Sequence, residues 1–242
     1  MTPRPHISID QTIIPDDARR LGQLKSIAAT TLSCDEATRV RRLRVSGAAD
    51  AFIVGRLLAR QRLAEVIGCS PADVVISIDR FGRPSVEGTP LSFNLSHSGR
   101  HVVLAVASIP VGIDCQLPDP DLEAGFEETF ATQREQWDIS SPESIYTLWT
   151  RKEAILKCLG TGFHTDPRSI ELGDRSAVAV AHPDCSTWTI SVRSLQWSHE
   201  GRLAVAWRRL PGTPQPMITR TVIDLCNDCH QVSNVERLHA QY

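Results

Sequence analysis

Two short stretches carry residue types suited to catalysis. In Val111-Gly-Ile-Asp-Cys-Gln116, an extended strand puts Asp114 and Gln116 on one face and turns Cys115 to the other. In Trp149-Thr-Arg-Lys-Glu-Ala-Ile-Leu-Lys157, Glu153 and Lys157 share a helix face at a spacing of four, with Trp149 a turn earlier. Oxygen donors from a strand end and a helix can together hold Mg²⁺, a hard cation that takes one or two carboxylates and completes its shell with water and substrate phosphate. Lys157 would meet the same phosphate. Each element alone has a plainer reading. A Glu-Lys pair at this spacing is commonly a surface ion pair worth about 0.2–0.5 kcal/mol, and Asp is a common turn residue.

A third cluster, Ser96-His97-Ser98, precedes the apolar run from Val102 to Ala107. It invites a Ser-His nucleophile, but neighbours on an extended strand face opposite sides. No G-x-S-x-G turn surrounds them, so a serine hydrolase is disfavoured, and a hydrogen-bonded structural His is the plainer reading.

The elements around these residues alternate helix and strand signals. Ile7 and Ile9 suggest a short strand. Ser33 followed by Glu36 fits a capping box opening a helix through Asp35–Val45. The segment 48–68 has helical spacing of Phe52, Ile53, Leu57, Leu58 and Leu63 and is closed by Gly68 and Pro71. Strand-like Asp73–Asp79 leads to a turn at Phe81-Gly82-Arg83-Pro84, and two strands follow on either side of Ser108-Ile109-Pro110. Beyond a Pro/Asp loop come helical patterns at 126–138 and 144–163, then strands at 177–181, 187–195 and 202–210.

Ser96-His97-Ser98-Gly99-Arg100 resembles Ser198-His199-Glu200-Gly201-Arg202, each before an apolar strand. The helices at 49–68 and 145–159 precede these by comparable intervals. Both features predict an α/β (α+β) chain of two similar halves, at 1–110 and 111–212, with a tail at 213–242. A cleft between halves is a natural place for a site.

The 242 residues, 41% hydrophobic, are enough for a sizeable core. A formal charge of −2 offers no global field for nucleic acid or anionic membrane, so any anion site must be a local cluster. No stretch has the apolar length of a signal peptide core or a membrane span, which makes the cytoplasm the expected location. Seven cysteines, an odd number in a chain this long, read as reduced thiols. Cys226-Asn-Asp-Cys229-His230 fits the spacing of c-type haem attachment; two thiols in a polar tail are the plainer reading.

Taken in order, Phe81-Gly-Arg-Pro84, the segment 93–106, Val111–Gln116 and the segment 149–163 resemble the 4′-phosphopantetheinyl transferases of the larger, surfactin-synthetase-activating type. The resemblance runs from Ser33 to Gly162. It implies a pseudodimer of two α/β halves with the active site between them. It also implies a reaction in which the phosphopantetheine arm of coenzyme A (CoA) moves to a serine of an apo acyl or peptidyl carrier protein, releasing 3′,5′-ADP. Carried over by motif, Asp114, Gln116 and Glu153 would hold Mg²⁺, with Mn²⁺ an alternative. Glu153 would be the base for the incoming serine, directly or through water. Lys157 would neutralise the transferring phosphate with help from Lys152. Ser96 and His97 would contact CoA phosphates, Arg83 would hold the nucleotide end, and Arg39 the 3′-phosphate. A monomer is expected, since one chain already contains both halves.

Two departures stand out. Gln116 replaces the acid of a G-I-D-x-E motif, which removes a negative charge from the metal site. Ala51 replaces an arginine that many relatives place near the nucleotide, so that contact is lost or is supplied by Arg56 or the Arg39–Arg44 cluster. Two other classes therefore stay open: a CoA- or carrier-binding protein without catalysis, and a metal or haem protein built on Cys226, Cys229 and His230.

Overall fold

The computed structural model describes residues 3–45, 47–197, 201–226 and 233–238. Ser198, His199 and Glu200 of the apparent repeat lie outside the described residues, as do Cys229 and His230 of the C-x-x-C-H pattern.

The chain opens with β1 (His6–Ile13), in which Ile7 and Ile9 are fully buried. Helix α1 (Ala18–Thr31) follows, capped by Asp17. Only Leu24 and Ala28 of it are buried, too narrow an apolar stripe for the sequence pattern to announce. Helix α2 (Cys34–Arg42) begins with the expected capping box of Ser33 and Glu36. Helix α3 (Ala48–Ile67) ends where Gly68 adopts φ +81 and closes it in the left-handed conformation. A short hairpin, β2 (Ile76–Ile78) and β3 (Pro84–Val86), leads to β4 (Ser92–Ser98) and β5 (His101–Ala107).

In the second half come β6 (Val111–Gln116), α4 (Gln133–Asp138) and α5 (Pro142–Leu159). The helical pattern expected at 126–138 is interrupted. A 3₁₀ turn at Phe126–Thr129 precedes α4, which starts afresh on a capping box of Thr132 and Glu135. Strands β7 (Ala177–Ala181), β8 (Thr187–Leu195), β9 (Arg202–Arg208), β10 (Met217–Val222) and β11 (Ser233–Leu238) complete the order.

The two halves repeat one plan. The first sheet contains β1-β5-β4 and the second β6-β9-β8. In each, the opening strand pairs antiparallel with the last strand of a hairpin that follows a long helix. The chain is thus an α+β fold of two similar halves. Strand β7 extends the second sheet. Strands β10 and β11 extend the first, with β10 parallel to β1. Strands β10 and β11 lie within 213–242, expected as a tail, and both join the sheet of the first half.

Alternation along the strands sorts the apolar residues into three cores. Val102, Leu104 and Val106 of β5 face α3, whereas Val103, Ala105 and Ala107 face the second sheet. Leu203, Val205 and Trp207 of β9 meet them there, and Ala204 and Ala206 turn to α5. The order of layers is α3, first sheet, second sheet, α5, with an apolar core in each gap.

The polar residues of Ser92-Phe-Asn-Leu-Ser-His-Ser98 are explained by the join between the sheets. Every second side chain of β4 accepts a backbone N–H from β6 or the residue after it. Ser92 Oγ takes Val111 N at 3.2 Å, Asn94 Oδ1 takes Ile113 N at 3.0 Å, Ser96 Oγ takes Cys115 N at 3.3 Å and Ser98 Oγ takes Leu117 N at 2.8 Å. Between them Phe93 and Leu95 pack into the α3 core. The seam is a side-chain ladder with the strand period of two, and it satisfies buried amides that would otherwise lack partners.

Candidate active site

The ladder aligns β6, and β6 then receives α5. Gly112 makes the contact possible, because a Cβ there would collide with Ala154 O and Cys158 N of α5. The helix backbone is pressed against Gly112 at Ala154, Lys157 and Cys158, and from there the Lys157 side chain reaches Asp114, two residues further on in the strand. Lys157 Nζ lies 2.6 Å from Asp114 Oδ1 and 3.1 Å from Ser96 Oγ. Ser96 in turn donates to Asp114 Oδ1 at 2.7 Å. Gln116 Nε2 donates to Asp114 Oδ2 at 2.9 Å, so Asp114 and Gln116 do share a face, while Cys115 sits in the core between the sheets.

Asp114 is only 1% exposed, and a carboxylate that deep needs its partners. Glu153 faces the same group. Its Oε1 is buried with no hydrogen-bond partner. Burial pushes its carboxyl up to about 7, with Lys157 opposing and Asp114 adding to the rise. Partial burial, then the Lys157 ammonium, lowers the His97 pKa from its ordinary value. Asp114, Gln116, Glu153, Lys157 and Ser96 are thus gathered at the seam, while exposed His97, the next residue along β4, lines the cavity beside it.

A cavity of about 340 Å³ opens beside them. Asn94, Ser96 and His97 line it from β4, and Ala51, Phe52 and Arg56 from α3, with Arg39 at its side on α2. Arg83 is placed differently. Gly82 and Pro84 line the cavity, but the Arg83 side chain packs over Gly160 at the end of α5 and donates to Ser92 Oγ at 3.1 Å. Gly160 has φ +78 and closes the helix, so the hairpin of the first half grips the helix of the second. Edge-to-face contact between Phe81 and His164 lies in the same region.

Lys152 does not join the group. It is fully buried, 2.5 Å from Glu135 Oε2, and donates to the carbonyls of Phe130 and Pro167. Successive helix residues are about 100° apart, so when Glu153 faces the seam Lys152 points into the second core. The expected CoA contact of Lys152 is replaced by a structural ion pair. Burial raises the Glu135 pKa, but the Lys152 bond and the amides of Thr132, Leu172 and Gly173 outweigh it and hold that carboxyl below its ordinary value. Glu135 anchors α5 from behind. Its sequence signal was the Thr132-x-x-Glu135 capping box, and that of Gly112 its place two residues before Asp114.

Among the described residues, no group of three or more His, Cys, Asp or Glu gathers as a metal cluster, and no helix is long and apolar enough to cross a membrane. Two carboxylates and an amide are what the seam presents. They can still fit a hard divalent cation: Glu153 supplies a buried, unpartnered carboxylate oxygen, and such a cation ordinarily takes one or two carboxylates and fills its shell with water and phosphate.

Comparison with known proteins gives the family of the chain. Residues 23–109 match the family described as "4′-phosphopantetheinyl transferase, N-terminal", and residues 110–207 match the "4′-phosphopantetheinyl transferase superfamily". A "4′-phosphopantetheinyl transferase" of Bacillus subtilis is 30% identical over 63% of this chain and 72% of its own length. A "Phosphopantetheinyl transferase" of Thraustochytrium sp. is 30% identical over 75% and 77%, respectively. An "L-aminoadipate-semialdehyde dehydrogenase-phosphopantetheinyl transferase" of Schizosaccharomyces pombe is 32% identical over 57% and 63%. The chain belongs to the 4′-phosphopantetheinyl transferase superfamily. It is an enzyme whose reaction is the one that defines the family, transfer of 4′-phosphopantetheine from CoA to a serine of an apo carrier protein.

Proposed function

We propose that the seam between β4, β6 and α5 performs this transfer with Mg²⁺ held by Asp114, Glu153 and Gln116, and that the cavity beside it receives CoA. The observation that carries the reading is the convergence of Asp114, Lys157 and Ser96 within hydrogen-bonding distance, with Glu153 facing them across the seam. When bound, the cation supplies positive charge to the diphosphate oxygens. Lys157 supplies a second positive charge, and Ser96 and His97 orient the phosphates, while Arg39 meets the nucleotide end. The carrier serine Oγ forms a bond to the phosphorus of the pantetheine arm. The bond from that phosphorus to the bridging oxygen breaks, and the oxygen leaves with 3′,5′-ADP. The serine proton passes to the Glu153 carboxylate, directly or through water. Burial raises the Glu153 carboxyl in the metal-free chain; a cation bound there would lower it again and leave the carboxylate ionised and able to accept the proton.

The enzyme is proposed to work as a monomer in the cytoplasm, since both sides of the seam come from one chain, and Mn²⁺ is the alternative metal. The experiment is the intact mass of an apo carrier protein after incubation with this protein, CoA and Mg²⁺, with Glu153→Ala in parallel. A gain of one phosphopantetheine that is lost in the variant supports the reading. CoA binding without any gain on several carriers would favour a protein that binds without catalysis, the reading motivated by Gln116.

A further inference from the structure

The turn at Phe81-Gly-Arg-Pro84 is organised by one acid. Asp79 Oδ1 accepts the amides of Phe81 and Arg83 at 2.8 Å and 2.9 Å. The Asp79 amide donates to Arg83 O at 3.0 Å, and Gly82 N donates to Asp79 O at 3.0 Å. Gly82 stands at φ +83, in the left-handed region where a side chain would add strain. The backbone of Arg83 is thereby fixed, and β3 begins at the next residue. A turn held at this many points aims its side chain in one direction.

That direction is away from the first half. A Cβ on Gly160 would stand 2.5 Å from Arg83 Cδ, 2.8 Å from Nη1 and 3.2 Å from Nε, so the side chain lies directly over the glycine that ends α5. Its Nη2 donates to Ser92 Oγ at 3.1 Å, and the same oxygen accepts Val111 N. Arg83 therefore touches α5 and the start of the ladder at once, and its charge sits where the last carbonyls of a helix concentrate negative partial charge. Arginine suits the place, since its stem can cover the glycine while its planar fork reaches Ser92. Gly82 and Pro84 line the cavity, and Arg83 between them does not.

Gly112 only removes an obstacle to the approach of α5. A hold is needed as well. The Cys158 thiol supplies part of it with a bond to Pro110 O at 3.4 Å, but a thiol is a weak donor. Gly160 is less than one helical turn beyond Lys157, so a shift of this end of α5 is passed on to the groups that face Asp114.

We infer that Arg83 is a positioning residue for the transfer. It fastens the C-terminal end of α5 to the first half and so keeps Lys157 and Glu153 in register with Asp114, in place of the expected contact with the nucleotide end of CoA. The inference rests on the transferase reading above.

The test is steady-state transfer to an apo carrier protein, read beside calorimetric titration with CoA, for the full chain as wild type, Arg83→Ala, Arg83→Lys, Gly160→Ala and Arg83→Ala/Gly160→Ala. Arg83→Ala should lower kcat about 10- to 100-fold, approaching the loss expected when groups are misplaced by about 1 Å, and leave the Kd for CoA nearly unchanged. Arg83→Lys should recover part of the rate. Gly160→Ala displaces the Arg83 side chain without removing its charge and should slow turnover likewise, and the double variant should be no slower than Gly160→Ala, as expected when two residues act through one contact. A raised Kd for CoA at unchanged kcat would make Arg83 a nucleotide contact and overturn the inference. So would a lowered melting temperature with normal kcat, which would make it a support of the fold alone, and so would losses that multiply in the double variant. No transfer by wild type on several carriers would instead overturn the transferase reading, and the inference with it.

Discussion

Lys157 Nζ donates to Ser96 Oγ at 3.1 Å, and this bond joins the two halves of the chain, since Ser96 is on β4 of the first sheet and Lys157 on α5 of the second half. Ser96 is shared further. Its oxygen also accepts Cys115 N and its hydroxyl donates to Asp114. A residue of the structural ladder is thereby a residue of the site. The join between the sheets and the placement of the proposed catalytic groups are one set of hydrogen bonds, so loosening the seam should disturb the chemistry before it unfolds the chain.

Lys157 and Asp114 neutralise each other, which makes Lys157 an internal counter-ion that a divalent metal would relieve. Removing one partner of a buried ion pair costs about 3–5 kcal/mol, and the 24% exposure of Lys157 moves the expected loss below that range. Lys157→Gln should lower the melting temperature by several degrees without divalent metal, and added Mg²⁺ should recover more in the variant than in wild type. Scanning calorimetry with and without Mg²⁺ checks this. An equal Mg²⁺ increment in both proteins would count against a shared position for the two cations.

Glu153 sets a pH dependence whose sign can be worked out. Its carboxyl titrates at about 7 in the folded chain against an ordinary 4.5. Between these values the folded chain holds a proton that the unfolded chain has released, so stability falls as pH rises from 4.5 toward 7. Glu153→Gln should remove that decline, and melting curves from pH 5 to 8 without divalent metal would show it as a flatter profile. Mg²⁺ bound at Glu153 should flatten the profile in wild type as well, because the cation holds the carboxylate ionised. An unchanged stability profile in Glu153→Gln would show that another group carries this titration.

Much of this was legible in the sequence, because period-two and helical spacing report which residues share a face. That logic places Asp114 with Gln116 and Glu153 with Lys157. It does not report what lies across a gap. Lys152 and Glu153 are neighbours in sequence, yet their side chains leave the helix about 100° apart, one to the core and one to the seam. The motif does not say which. Glu135, which holds Lys152, is 17 positions away, and Arg83 is drawn from the cavity by Gly160 and Ser92. Strand β10 was hidden for a similar reason, as its partner β1 is some 210 residues earlier.

Asn94 tests the ladder. Its Oδ1 accepts Ile113 N at 3.0 Å inside the join, and Asn94 is 9% exposed. Asn94→Leu keeps the volume but strands the Ile113 amide, at a cost of about 1–3 kcal/mol. In a domain of this size that is roughly 2–4 °C per kcal/mol in melting temperature. Ser98→Ala, nearer the end of the ladder, should cost less. Hydrogen exchange at Ile113 should quicken in Asn94→Leu and not in Ser98→Ala. If exchange there is unchanged, the side-chain ladder does not hold the sheets together.

Gly112 is the point where strand and helix touch, and it carries the sharpest expectation. The atoms a Cβ would meet, Ala154 O and Cys158 N, are backbone, and a helix backbone cannot move aside as the end of a flexible side chain can. Gly112→Ala must therefore push α5 outward. Overpacking of this kind costs about 1–3 kcal/mol or more, but its effect on function should exceed its effect on stability, because displacement by even a fraction of a C–C bond length separates Lys157 and Glu153 from Asp114. Activity should fall by at least about 100-fold, the order expected for misplacing groups by roughly 1 Å, at temperatures where the variant remains folded. CoA affinity should fall far less, since Arg39, Phe52 and Arg56 do not depend on α5. Steady-state kinetics beside CoA titration separates the two, and a variant with normal turnover would show that the close approach at Gly112 does not position the site.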